Sequence, residues 1–253
     1  MDAGTTFSLT LLLVAARAAG VLLVAPVLGH ASVPARLRLL LGVAIALAVT
    51  PRVASAAVPT NAFDLAAAAA VELLTGATLG FAAKVIFSGV EVGAFHVGQQ
   101  MGITLADVFD PAGESSDSVR RLFELSTIVA FFAIGGHREL IAGLLRSFQQ
   151  VPLRTFAVSP SLAGGIVSLM ATSFSMGLKL AAPVLVAMLL ATAAMGMLQR
   201  AVPQCHILSV ELPVRAMLGL LVLAASVSAV APLLDAGLSL AMRQAGLAMS
   251  GTN

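Results

Sequence analysis

The chain has 253 residues, of which 59% are hydrophobic and only 10% charged. Its 14 Lys and Arg against 12 Asp and Glu leave a net charge of +2, and its mean hydropathy is +1.01. A soluble globule carries about a quarter of its residues as charges, so a water-soluble enzyme, a nucleic-acid-binding domain and a disordered chain are excluded together. What remains is a polytopic membrane protein or a subunit buried in a largely apolar assembly. The single cysteine, Cys205, rules out an intrachain disulfide and a C-x-x-C metal or redox pair. Trp and Tyr are both absent. Lipid-facing helices usually carry them at headgroup level, so the absence reads either as surface that meets protein or as plain compositional bias toward Ala.

The first predicted element is an apolar run from Phe7 to Gly29. It exceeds the roughly 7–15 residues of a signal-peptide core, and no positive side chain precedes it. Its length fits a helix crossing about 30 Å of hydrocarbon. A basic turn from His30 to Arg38 follows, with Pro34 and Arg36 inside it. Leu39–Val49 is a short apolar stretch that extends toward Val58 only through Pro51 and Arg52. Leu65–Val90 is interrupted by Glu72 and Lys84, and Leu122–Leu145 holds Glu124, Gly135, Gly136, His137, Arg138 and Glu139. Leu162–Leu198 would be about 55 Å long as one helix. It is either two segments broken near Pro183 or one helix that leaves the lipid. Val214–Met242 is the last run. Six spans with the N-terminus outside place Arg36, Arg38, Arg120, Arg121, Arg200 and Arg215 inside, against Arg52, Arg146, Arg154 and Arg243 outside. That is a weak positive-inside bias.

Three glycine pairs at i, i+4 spacing lie close together: Gly76 and Gly80, Gly89 and Gly93, Gly98 and Gly102. Each presents a small face that lets another backbone approach, and Gly89, Gly93 and Gly98 are the helix-packing candidates. Glu72, Lys84, Glu91 and Lys179 stand in apolar surroundings, where a charge either serves a function or pairs with another helix or subunit. Lys84 and Glu91 are the candidate buried charges. His30, His96, His137 and His206 are scattered, with no metal-ligand or nucleophile motif around them. No cofactor, metal or catalytic residue is therefore expected. Between Asp107 and Asp117 lies a polar segment with four acids, flanked by Gly98 and Gly102. Between membrane-depth helices such a segment lines a cavity or is buried in protein; otherwise it is an ordinary exposed turn.

Four blocks resemble the FliR family of flagellar biosynthetic proteins and its injectisome relatives, the SctT-type export-apparatus subunits. Arg17, then Ala25-Pro26-Val-Leu, then Ser32-Val-Pro34-Ala-Arg36-Leu-Arg38 is the first. Gly89-Val-Glu91-Val-Gly93, Gln100-Met101-Gly102 and Phe109-Asp110-Pro111 form the second. Gly135-Gly136-His137 is similar to the family's Asn-Gly-His, and Gln199-Arg200, Pro203-Gln204 and Leu212-Pro213 to its Asn-Arg…Pro-Gln…Phe-Pro. The blocks keep their order from about residue 17 to 215. Departures are Gln199 and His206, where Asn is common, and Glu211 in place of Gly. Glu211 stands one turn from Arg215 and can pair with it.

The resemblance implies an all-α, polytopic membrane-type protein of helical hairpins assembling into an export-gate core. Residues 1–160 would be a FliP-like part and 161–253 a FliQ-like hairpin. It implies a non-catalytic subunit in the bacterial inner membrane at the flagellar basal body, with FliP-like, FliQ-like, FlhB-like and FlhA-like partners and exported unfolded polypeptides as cargo. No nucleic acid is expected as a partner. Met101, Gly102, Phe109, Asp110 and Pro111 match the plug segment that closes the conduit. Pro203, Gln204 and Pro213 mark the C-terminal turn. The competing reading is a secondary transporter or channel acting without those partners, which calls for two broken helices around a midplane polar cluster. An intramembrane protease would need a nucleophile that the sequence does not offer.

Overall fold

The computed structural model describes residues 3–29, 33–53, 61–102, 118–156, 160–201 and 207–250. Among these, all regular structure is helical: α1 (Ala3–Val24), α2 (Ala35–Val49), a 3-10 turn (Thr50–Arg52), α3 (Ala62–Met101), α4 (Ser118–Ala133), α5 (Gly136–Gln150), α6 (Pro160–Ala201), α7 (Ile207–Ser226), a second 3-10 turn (Val227–Ala229) and α8 (Val230–Ser250). The Ala- and Leu-rich runs carry the strongest helix formers, so propensity and hydropathy agree. Boundaries follow proline and glycine. Pro34 precedes α2, Pro160 opens α6, and Gly102 and Gly135 take positive φ at +74° and +75°. These are the left-handed positions where glycine avoids a Cβ clash.

Four stretches are long and apolar enough to cross a membrane: in α1, α3, α6 and the run from Pro213 to Met249. Counting α4 and α5 together as one broken span gives a fifth. Against the six spans that hydropathy offers, four or five segments among the described residues have the length and composition of a span. Helix α2 has only 15 residues, about 22 Å, against the roughly 30 Å of a hydrocarbon core. The long run around Pro183 is one helix of 42 residues, about 63 Å. Pro183 is exposed within it; there it removes one helix hydrogen bond, and its ring crowds the carbonyl four residues earlier.

Two compact units divide the chain. The first takes residues 1–86, 135–171 and 238–253, and the second takes 87–134 and 172–237. In the first, α1 and α3 pack backbone to backbone. A Cβ added at Gly20 would lie 2.8 Å from the Ala77 nitrogen. One at Gly76 would strike the Arg17 carbonyl, and one at Gly80 would lie 2.8 Å from the Val21 carbonyl oxygen. Leu13 and Ala68 continue this contact with Leu153, while Val14 packs on Ala46 and Val49 of α2. Helix α1 then leaves through Ala25–Gly29. There the Leu28 N–H donates to the Pro26 carbonyl at 2.7 Å, and Val27 sits at φ +67°. That is a γ-turn of the strained, positive-φ kind on a β-branched residue.

In the second unit, α3 and α6 meet in the same manner. A Cβ at Gly89 would strike the Ser173 carbonyl, and one at Gly93 would lie 2.6 Å from the Gly177 carbonyl oxygen. Phe87 packs edge-on against Phe131 of α4, with ring centroids 5.5 Å apart. Small residues thus bring α3 against a different helix in each unit.

These contacts separate two kinds of glycine. Gly76→Ala and Gly89→Ala push a methyl into another backbone and should each destabilise the chain by about 1–3 kcal/mol. Gly164 and Gly196 face open space, so Gly164→Ala and Gly196→Ala should be neutral or add up to about 1 kcal/mol. Thermal unfolding in mild detergent reads the difference. Equal effects in the two pairs would mean that the backbone contacts do not hold the helices.

Candidate functional site

One turn before Gly20 and Gly76, the α1–α3 contact carries opposite charges. Arg17 and Glu72 are both fully buried, at 0% side-chain exposure. The Arg17 Nε donates to Glu72 Oε2 at 2.5 Å. Its Nη1 donates to the Ser147 hydroxyl at 3.3 Å and to the Val151 carbonyl at 3.0 Å. The guanidinium carbon stands 4.3 Å from the centroid of Phe148, a cation–π contact. Glu72 uses its second oxygen, Oε1, to accept the backbone N–H of Arg154 at 2.7 Å. The Arg154 side chain in turn donates to Asp64 Oδ1 at 2.6 Å. Arg154 adopts φ +70°, a left-handed backbone that needs compensation in a non-glycine residue. The two carboxylates, one at each end of α3's first three turns, supply it. The node therefore ties α1, α3, the end of α5 and the loop after it.

Arg17 and Glu72 lie 55 residues apart, and no local motif links them. Sequence marks Glu72 as a charge in an apolar run and Arg17 as part of a block, but it does not pair them. Ser147, Asp64 and Arg154 carry no sequence signal for this role.

The other singled-out residues fall in several places. Lys84, in the first unit, and Glu91, in the second, are both exposed on α3, and neither forms an ion pair among the described residues. The burial expected of them is not found among the described residues. Gly89 and Gly93 face α6, and Gly98 is buried within α3. Helix α3 passes through Gly98 and stops at Met101, with the Gly102 N–H donating to the Gln99 carbonyl at 3.1 Å. Met101 is 1% exposed, and its side chain lies against Gly219 of α7. In this chain its thioether is seated on a helix. Phe109, Asp110, Pro111, Pro203, Gln204 and His206 lie outside the described residues. Pro213 is exposed inside α7. Glu211 pairs with Arg215 at 2.8 Å, and Arg215 also donates to the Thr192 hydroxyl of α6 at 2.8 Å. No group of three or more His, Cys, Asp or Glu is placed to hold a metal among the described residues.

Among the described residues, helices long and apolar enough to cross a membrane, a fully buried ion pair and backbone-close glycine contacts define a helical protein of membrane type. It matches the family of bacterial export proteins, family 1, over residues 8–240, and it belongs to that family. It is 29% identical over 209 residues to the flagellar biosynthetic protein FliR of Escherichia coli K12, covering 82% of this chain and 80% of that one. Against the FliR protein of Caulobacter vibrioides the identity is 29% over 222 residues, covering 87% and 88%. Yop proteins translocation protein T of Yersinia pestis is 28% identical over 183 residues, covering 71% and 70%.

Burial decides what each carboxylate of the node contributes. Glu72→Gln keeps an acceptor for the Arg154 N–H but leaves the Arg17 cation buried without a counter-charge. The expected loss is about 3–5 kcal/mol. The Asp64–Arg154 pair is about one-third exposed, so Asp64→Asn should cost no more than about 1 kcal/mol. Denaturation of the purified chain in detergent distinguishes them, and equal losses would contradict this ranking.

Proposed function

We propose that the chain is a non-catalytic subunit of the type III protein export gate. With FliP-like and FliQ-like subunits it forms the conduit through which unfolded flagellar or effector proteins leave across the bacterial inner membrane, at the flagellar basal body. FlhB-like and FlhA-like components dock on this assembly. In this reading residues 1–160 serve as the FliP-like part and 161–253 as the FliQ-like hairpin. Family membership supports the export role, and the names of the FliR and translocation protein T relatives support the type III setting.

One structural observation carries the step from export protein to assembly subunit. Large apolar side chains stay exposed over both units, among them Leu40 at 68%, Leu189 at 70% and Met217 at 72%. Lipid satisfies such surface, but it does not satisfy Lys84 and Glu91, which stand on the same helix without an ion pair among the described residues. A charge facing hydrocarbon costs several kcal/mol, while a neighbouring subunit supplies counter-charge and apolar cover at once. The transporter reading loses its one candidate break, since α6 runs unbroken through Pro183. The segment beyond Gly102, with Phe109, Asp110 and Pro111, is proposed as the closure of the resting conduit. Its apolar residues would resist wetting by small ions. Met101 and Gly102, at the end of α3, would anchor it.

A tagged copy expressed with the complete export gene set should bring down FliP-like and FliQ-like subunits in gentle detergent. In that complex, deleting residues 108–116 should leave partner recovery intact and raise ion leakage through a bilayer. A stable lone monomer would contradict the subunit assignment. Intact assembly with no added leak would place the closure elsewhere.

A further inference from the structure

In the first unit, α1, α3, α6 and α8 surround a recess of about 270 Å³. None of its lining residues carries a charge. Leu74, Phe81, Ile166 and Leu169 are the large members of the wall, and small Ala82 and Ala245 leave the space between them.

The chemistry of the wall decides what fits. Thr78 Oγ1 donates to the Thr75 carbonyl at 2.8 Å and stands 3.1 Å from Met249 Sδ. Gln244 Nε2 donates to the Ser168 hydroxyl at 3.2 Å, and Gln244 Oε1 is shielded from solvent. Almost the whole accessible wall is therefore carbon. An ordered water needs about two to four polar partners, which this wall does not offer. An apolar cavity of about 150 Å³ takes one benzene, so the recess has room for roughly ten carbons.

Volume and position select a hydrocarbon chain over a protein side chain. A leucine or phenylalanine from another subunit fills only part of the space, and a tryptophan brings an N–H that a carbon wall does not accept. Every lining residue also falls within one of the four segments long and apolar enough to cross a membrane. Val24 belongs to the first, residues 74–82 to the second, 162–169 to the third and 244–248 to the fourth. The medium around such segments is acyl chain. Leu74 and Phe81 are 55% and 40% exposed, so a chain leaving the recess continues over apolar surface.

We propose that this recess binds one acyl chain of a membrane lipid, methyl end first. The gain is burial of methylenes against carbon, with no hydrogen bond to form or lose. The headgroup stays outside, so lipids with the same chains and different headgroups bind alike. The site is independent of the export reading, since it needs only the first unit and a lipid.

Photolabelling tests this. The full chain, with any subunits that co-purify, is placed in nanodiscs containing phosphatidylcholine with a diazirine near the end of one acyl chain. Labelled residues are mapped by mass spectrometry. Leu169 and Ala245, 3% and 6% exposed, should be labelled although bulk lipid does not reach them, along with outward Val167. Ala245→Phe fills the recess and should lower labelling of Leu169 about tenfold or more, with Val167 unchanged. Should Ala245→Phe not fold, Ala82→Leu on α3 is held to the same outcome. Label confined to exposed residues in the wild type, or undiminished label on Leu169 in the folded variant, would overturn the proposal. So would a recess labelled in the lone chain and shielded once other subunits are bound, which would assign it to a neighbouring subunit's side chains.

Discussion

The first unit depends on one interaction, the buried pair of Arg17 and Glu72. Two ions taken out of water cost several kcal/mol each, and they return it only when geometry and remaining hydrogen bonds are satisfied together. Here Glu72 reaches both Arg17 and the Arg154 N–H, while Arg17 also reaches Ser147 and the Val151 carbonyl, and of its three nitrogens only Nη2 has no hydrogen-bond partner among the described residues. Those partners come from four segments, so the pair closes only when all four are in place. Apolar packing alone tolerates sliding, since one leucine face resembles the next. An ion pair at membrane depth does not, because one turn of slippage strands both charges.

Glycine makes the pair geometrically accessible. Gly20, Gly76 and Gly80 let α1 and α3 touch through their backbones, so the side chains beside the contact meet at short range. Gly89, Gly93 and Gly177 repeat the device between α3 and α6 in the second unit. Membrane-type helices gain little from burying leucine against lipid, so close van der Waals contact and internal polar bonds hold them together. The first unit uses both. The exposed apolar surface that remains carries Lys84 and Glu91, which form no ion pair among the described residues.

Much of this fold is legible in the sequence. Hydropathy finds the long helices, and proline and glycine punctuate them at Pro34, Gly102, Gly135 and Pro160. The glycine pairs on α3 announce close packing, and spacing alone suggests the Glu211–Arg215 pair, which forms at 2.8 Å. The apolar Leu39–Val49 stretch looks like a crossing in the sequence, while α2 has only 15 residues, short of the length that spans a hydrocarbon core. Pro183 leaves a choice that sequence does not decide, since a proline can either break a helix or sit inside one, as it does in α6. Pairings between distant residues are the least legible. Arg17 finds Glu72 through tertiary contact, Ser147 joins from α5, and Arg154 joins from the loop after it at positive φ. Periodicity carries no information about such partners.

A double-mutant cycle on Arg17 and Glu72 tests the central claim most directly. Arg17→Met and Glu72→Leu replace each ion with an apolar chain of similar volume. The unfolding free energy of the chain in detergent is measured for each single variant and for the pair. The account predicts that each single variant loses about 3 kcal/mol or more, because one charge is stranded. The double variant should lose about as much as one single variant rather than the sum of the two, giving a coupling energy of about 3 kcal/mol. Losses that simply add, with no coupling, would contradict the view that this pair organises the first unit.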